Sequence, residues 1–412
     1  MKIVGIIAEY NPFHNGHALH IAATRHATAC DCVVAVMSGS FVQRGEPAMF
    51  DKWSRAAMAV SGGADVVIEL PFVFSMRSAQ YFAAGGVRLL SALGADYLSF
   101  GAETADLAAL QAAARASEVP TVNDALQRGL NSGMTYAKAL ADAVQAATGL
   151  SDEVVASPNN ILAIEYLRAI NRYCPQGIRP LAVQRLYADF HDTVIGGEVA
   201  SATAIRRSIS TSSSLEADVR AALPTATAAK IAALLAEGQA PITAEAFDTL
   251  LLGKLRTSSL EILAGLPEIS EGLEYRIADC ALKANNGEEL FSLIKSKRYP
   301  RTRLQRMAIH LLVGTSAAYL RTADDSGPLY ARVLAFNETG RKALRRFAQN
   351  AAIPVITKTA SALKTHARIR GNLSPLQDML AYDTYATDIH MLGMPNPQYR
   401  KGGRDFSEQL IY

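Results

Sequence analysis

Two histidines stand three residues apart in the stretch Glu9-Tyr10-Asn11-Pro12-Phe13-His14-Asn15-Gly16-His17, directly after an apolar run. Each imidazole offers a ring N–H, and two of them on one turn can donate to a single phosphate group. Gly16 between them permits close approach of the backbone, while Asn11 and Pro12 fix the turn and can face the ligand. Donors of this kind answer the charge that grows when an oxygen nucleophile attacks an α-phosphorus. That charge appears on the equatorial oxygens and on the departing pyrophosphate, and groups already in place to receive it supply much of the catalysis. The alternative is that the histidines only cap the helix that follows.

Phosphate chemistry at such a turn needs a strand before it and a helix after it, at the carboxyl edge of a parallel sheet. The flanking sequence reads that way. KIVGIIA, CDCVVAVMSG, ADVVIELP, ADYLSFGAE and IRPLAVQRL are continuous apolar runs, as strands covered on both faces require. HALHIAATRHATA, DKWSRAAMAVSGG, SAQYFAAGGVRLLSALG and NNILAIEYLRAINRY are helical between them, with Gly62-Gly63 and Gly94 closing two of the helices. The expected fold is α/β: a doubly wound, Rossmann-like parallel sheet over residues 1–212. The polar STSSS stretch marks its end, and a mainly helical, basic domain follows over residues 213–412. Short mixed α/β elements are expected near RVLAFNETG and IPVITK. Helix N-termini at the carboxyl edge should aim unpaired N–H groups at anions.

The chain has 412 residues, of which 50% are hydrophobic and 19% charged, and a net charge of +3. That charge is unevenly spread. Residues 281–412 hold 20 Lys plus Arg against 10 Asp plus Glu, so this part carries +10 and the remainder −7. A basic second half suggests a polyanionic partner. Cys30, Cys32, Cys174 and Cys280 show no paired metal-ligand spacing, so no metal centre is expected and buried thiols in a reducing cytoplasm fit. No signal peptide is visible, and no apolar run approaches the roughly 20 residues that span a bilayer.

His14-Asn15-Gly16-His17 after a leading strand resembles the HxGH signature of the HIGH nucleotidyltransferase superfamily. Ser201-Ala202-Thr203-Ala204-Ile205-Arg206-Arg207 resembles its second phosphate motif, S-x-T-x-[IL]-R at the start of a helix. There the Ser201 and Thr203 hydroxyls would form an anion cradle and Arg206 would grip the leaving pyrophosphate; a plain Ser cap on a basic helix is the other reading. GIIAEYNPFHNGH, MSGSFVQRGEPAMFDKWSRAAMA, GADVVIELP, SPNNILAIEYL and VQRLYADFHD narrow the resemblance to the bacterial tRNA(Met) cytidine acetate ligases. EGLEYRIADCA, IKSKRYPRTRLQRM and RVLAFNETGRKAL extend it through the second half.

The resemblance implies ATP-dependent activation of acetate to acetyl-adenylate, then transfer of the acetyl group to the wobble cytidine of elongator tRNA(Met). It implies His14, His17, Ser201, Thr203 and Arg206 as catalytic residues. It implies an ATP site, with Mg2+ accompanying the nucleotide, made by Ile7, Ala8, Glu9, Tyr10, Asn11, Pro12, Phe13, His14, Asn15, Gly16, His17, Ala18, Leu19, His20, Gly101, Asn160 and Arg185. A side chain at Gly101 would obstruct a nucleotide across the sheet edge. Asn160 could read the ribose or adenine or cap its helix, and Arg185 could neutralise phosphate or be a surface residue. No protein partner and no membrane are implied. An adenylyltransferase for a small cofactor precursor, or a non-catalytic RNA-binding protein, are the competing readings.

Other charged residues stay open. Gln43, Arg44 and Lys52 follow the second strand and could bind acetate, a phosphate or the tRNA end, with Arg44 preferred as a tRNA contact. Asp65 and Glu69 could hold magnesium through water, or cap and pair within the fold. Lys295, Lys297, Arg298, Arg301, Arg303 and Arg306, with Tyr299 among them, form the densest basic cluster. Such charges repel unless a counter-charge is supplied, so a phosphate backbone with a base stacked on Tyr299 is one reading. A solvated helix face is the other. Arg341, Lys342, Arg345 and Arg346 make a second strip.

Overall fold

The structure is a computed structural model, and it describes residues 1–174, 177–185, 200–212, 214–270, 272–408 and 410. The quoted stretch VQRLYADFHD therefore lies outside the described residues from position 186 onward. Nine strands are described: β1 (Ile3–Ala8), β2 (Cys32–Ser38), β3 (Phe41–Val42), β4 (Glu46–Pro47), β5 (Val66–Leu70), β6 (Tyr97–Ala102), β7 (Arg179–Gln184), β8 (Ala331–Phe336) and β9 (Val355–Ile356). Seven of them form one sheet in the order β7-β6-β1-β2-β5-β8-β9, and β3 with β4 makes a separate hairpin. The five strands expected from the apolar runs pair in parallel around β1, with Ile3 opposite Cys32 and Val4 opposite Tyr97.

Helix α1 (Asn15–Thr28) follows β1 and helix α2 (Lys52–Ser61) follows the hairpin. Helices Ala79–Ala92 and Pro158–Tyr173 pack on the sheet as the apolar spacing requires. Residues 103–157, unassigned from sequence, form helices Leu107–Ala116, Pro120–Asn131, Tyr136–Thr148 and Asp152–Ala156.

The second half is helical as expected, yet it also completes the sheet. RVLAFNETG supplies β8, which pairs antiparallel with β5, and IPVITK supplies β9. β5 reads VVIEL and is wholly buried; without β8 it would present an apolar edge to solvent. Helix Glu338–Asn350 then comes so close to the sheet that a Cβ on Gly340 would lie 2.0 Å from the Asp65 carbonyl oxygen. The large core runs without a break from β1 and β2 into helices Arg301–Val313 and Pro375–Met391. Among the described residues no helix is long and apolar enough to cross a membrane.

Candidate active site

β1 ends at Ala8, and the chain turns through Tyr10 at φ +45° and a cis Asn11–Pro12 peptide before α1 begins. Left-handed backbone at a non-glycine residue costs about 1–2 kcal/mol. Packing holds it: the Tyr10 ring meets Phe13 and His17 edge-on, with centroids 4.9 and 4.8 Å away. Phe13 is fully buried against Gly62, where a Cβ would sit 2.1 Å from the ring.

His14 is the N-cap of α1. Its Nδ1 accepts from the Gly16 backbone N–H at 3.1 Å, and His17 Nδ1 accepts from the His14 N–H at 3.2 Å. The two rings stack at 3.8 Å. Capping and phosphate chemistry were competing readings of these residues, but the geometry accommodates both. An Nδ1 that accepts must be unprotonated, so each neutral ring carries its proton on Nε2. Burial holds both rings neutral, helped by Arg185 and Arg206 around His14, whose pKa falls to about 3; His17 lies well below its ordinary value for the same reason.

One expectation needs correction. The first N–H groups of α1 are occupied within the fold, Asn15 by the Ala222 carbonyl, Gly16 by His14 Nδ1 and His17 by the His14 carbonyl. The donors left for a ligand here are the two Nε2–H groups.

Both histidines line a cavity of about 340 Å³ at the carboxyl edge of the sheet, within the roughly 300–1,000 Å³ usual for small-molecule sites. Its wall also holds Ile7, Ala8, Glu9, Tyr10, Asn11, Gly16, Leu19, His20, Gly101 and Arg185, with Arg44 and Gln43 from the hairpin and Ser201, Thr203 and Arg206 from the second motif. Arg206 joins the two motifs: its guanidinium donates to the Asn11 carbonyl at 2.9 Å and to Thr203 Oγ1 at 3.4 Å. Ser201 caps helix Ala202–Ser212 by accepting from the Ala204 N–H at 3.0 Å, while remaining in the wall. His20 is set by its Nε2 contact to Ser99 Oγ at 2.9 Å.

Pro12, Phe13, Asn15, Ala18 and Asn160 are not among the lining residues. Asn160 is fully buried; it accepts from the Thr104 N–H and donates to the Glu153 carbonyl, so it braces the wall from behind. Its neighbour Asn159 lines the cavity instead and accepts from Arg185 at 3.2 Å. At Gly101 a Cβ would first meet the Arg185 side chain, 3.2 Å away, so the glycine makes room for that arginine.

Sequence reasoning missed Arg55, which is fully buried in α2 and donates to the carbonyls of Glu9, Ser38, Gly39 and Phe50. One guanidinium thereby ties the ends of β1 and β2 together. Periodicity carries no signal for such a role. Tyr166 was also missed; it lines the cavity, and its buried hydroxyl has no hydrogen-bond partner.

Several charged residues serve the fold. Lys52 is fully buried, its Nζ 2.8 Å from both Glu69 and Asp405, and Arg332 pairs with the same two carboxylates. Lys52 is therefore not exposed to a substrate, and Glu69 takes the paired reading. Asp65 likewise pairs with Arg25 at 2.5 Å and accepts from the Val33 N–H.

In the basic cluster, the repulsion argument overlooked counter-charges from distant segments. Arg303 and Arg306 meet Glu268, and Arg301 meets Glu288. Tyr299 is buried, donates its hydroxyl to the Ser270 carbonyl at 2.8 Å and lies under the Arg303 guanidinium. Lys295 and Lys297 are exposed and Arg298 partly so. On the second strip Arg341 pairs with Glu338, Arg346 donates to the Met1 carbonyl, and Lys342 and Arg345 are exposed.

Among known proteins, the model of the HIGH Nucleotidyl Transferase family matches residues 1–405. The tRNA(Met) cytidine acetate ligase of Acetivibrio thermocellus is 36% identical over 420 residues, covering all of both chains. That of Syntrophomonas wolfei is 38% identical over 420 residues, covering all of this chain and 99% of its own. The crystal structure of apo Thermotoga maritima TmcAL superposes with a TM-score of 0.91 at 32% identity, covering 100% of this chain and 99% of that one. The same protein bound with alpha-thio ATP gives 0.90 at 31%, with the same coverage. By its sheet, its paired motifs and this end-to-end similarity, the chain belongs to the tRNA(Met) cytidine acetate ligase family of HIGH nucleotidyl transferases.

Proposed function

We propose that this protein activates acetate with ATP and transfers the acetyl group to the wobble cytidine of elongator tRNA(Met), giving N(4)-acetylcytidine. The observation that carries the reading is the stacked His14–His17 pair in the wall of one cavity with Arg206, which bridges the two phosphate motifs. A relative of the same fold binds an ATP analogue.

In the first step an acetate oxygen attacks the α-phosphorus and the bond to pyrophosphate breaks. The Nε2–H groups of His14 and His17 meet the charge growing on the α-phosphoryl oxygens, while Arg206, Thr203 and Ser201 hold the departing pyrophosphate. Because both rings are neutral, they act as fixed dipoles that need no proton transfer. In the second step the cytidine amine attacks the acetyl carbonyl carbon, and AMP leaves.

The described residues contain no group of three His, Cys, Asp or Glu side chains placed to bind a metal. Mg2+, where it accompanies ATP, would neutralise part of the triphosphate charge beside Arg206. The exposed Lys295, Lys297, Lys342 and Arg345, with Arg44 at the cavity, are the tRNA contacts we assign; the cytoplasm, where tRNA is processed, is the compartment.

The test is mass spectrometry of nucleosides from tRNA(Met) incubated with the protein, ATP and labelled acetate. Labelled N(4)-acetylcytidine is the expected product. Unmodified tRNA(Met), together with ATP-dependent adenylylation of a cofactor precursor, would favour the cofactor-precursor reading instead.

A further inference from the structure

Resting on that function, we propose that Glu9 is the base of the second half-reaction, accepting a hydrogen bond from the cytidine exocyclic amine and taking its proton as N4 attacks the acetyl carbon. The balance is simple. The N4 lone pair forms the C–N bond, the bond from the acetyl carbon to the bridging oxygen breaks, and AMP leaves with that electron pair. N4 must then lose one proton, and the cavity has to supply an acceptor for it.

The described wall offers few. His14 and His17 use Nδ1 to accept backbone N–H groups, so each Nε2 already holds a proton. His20 has its Nε2 engaged with Ser99, and burial with Arg185 lowers its pKa to about 4, which leaves the ring a poor proton acceptor. Arg44, Arg185 and Arg206 have no accepting lone pair. Among the described lining residues Glu9 is the only carboxylate. It directly follows β1, so it sits beside the histidine turn yet outside it. Its Oε1 accepts from the Gln43 N–H at 2.9 Å, which leaves Oε2 for a substrate.

The described groups that face Glu9 are Arg206, Arg44, Arg55, Glu46, Tyr166 and the Gln43 N–H. Burial raises its pKa above the ordinary 4.5, against the pull of the Gln43 N–H and the two arginines. A carboxylate raised in this way is a better base than a solvated one. A carboxylate is also a matching acceptor for cytosine N4, and it would repel the O4 of a uracil. The buried Tyr166 ring also lines this part of the cavity, close enough for its hydroxyl to feel the Glu9 charge. The partly exposed Gln43 and Arg44 also line the cavity.

The two half-reactions separate this proposal from the reading beneath it. Acetate-dependent exchange of labelled pyrophosphate into ATP reports the first. Rapid-quench transfer from synthetic acetyl-adenylate to a tRNA(Met) transcript reports the second. Glu9→Gln keeps a carbonyl acceptor for the Gln43 N–H, so the turn stays supported. The expected result is a fall of about 100-fold or more in the ratio of transfer to exchange, with part of the loss restored in Glu9→Asp. Wild-type transfer should lose rate on the acid side, at a pH above 4.5, and that limb should vanish in Glu9→Gln. Equal losses in both assays, or undiminished transfer, would overturn the assignment. A wild-type protein with neither exchange nor acetylated cytidine would sink the function itself, and that is seen without any variant.

Discussion

His14 and His17 each do two jobs with two nitrogens. Nδ1 ends the helix backbone and Nε2 faces the cavity, so a substitution that removes both functions confuses stability with chemistry. Asn has an oxygen near the position of Nδ1 and nothing at Nε2, which makes His17→Asn the cleaner probe. Pyrophosphate exchange should fall by about 2–4 kcal/mol of transition-state stabilisation, the size found for one missing oxyanion donor, while the melting temperature stays close to wild type. His17→Ala should show the same loss in exchange plus about 0.5–2 kcal/mol of stability from the lost cap, read by urea unfolding.

Because burial puts His14 at about 3 and His20 at about 4, neither ring changes charge between pH 5 and 8. The pH profile of kcat/KM for ATP in the exchange reaction, which reports the free enzyme, should therefore carry no limb near 6.5. An inflection there would mean that the rings work as imidazolium ions.

The elements show where sequence and structure part company. Each parallel strand was readable because its burial is written locally, in a run such as IVGIIA or CVVAVMS. The histidine turn was readable because its chemistry lies within nine residues. What β8 does was not. RVLAF looks like any short buried strand, and its docking against β5 depends on residues more than 250 positions away. The basic cluster was misleading for the same reason, since Glu268 and Glu288 come from other helices.

The pairing of β5 with β8 is marked by the buried group Lys52, Glu69, Arg332 and Asp405. Burial would raise the Asp405 pKa, yet Arg332 and Lys52 overcome it and hold the carboxyl below the ordinary carboxylate range. Taking one member out leaves uncompensated charge at a buried site. Lys52→Met should cost about 3–5 kcal/mol, measured by chemical denaturation, and an unchanged midpoint would show that the group contributes little.

At the scale of the whole molecule, the helical half is fastened to the sheet half by histidines far from the cavity. His310, on helix Arg301–Val313, contacts the Met76 carbonyl through Nε2 at 2.9 Å, and His390, on helix Pro375–Met391, contacts the Ala48 carbonyl at 2.7 Å. Both are fully buried, and burial lowers each pKa from 6.5 to about 4. Between pH 6.5 and 4 the unfolded chain binds protons that the native chain refuses, so stability is complete above 6.5 and is lost as the pH falls toward 4. The loss is on the order of 3 kcal/mol for each ring at the acid end, from roughly 1.4 kcal/mol per pKa unit.

His310 is the more exposed to this effect in chemical terms, because its Nδ1 has no partner to receive an added proton. Thermal unfolding followed by circular dichroism should show the melting temperature falling steadily from pH 7 to 4.5. His310→Gln, which keeps a donor for the Met76 carbonyl but cannot take up a proton, should flatten that slope. The transition should stay single at every pH, since the sheet and its core draw on both halves of the chain. Two separated transitions at acid pH would mean that the halves unfold independently, with the β5–β8 seam as the place where they part.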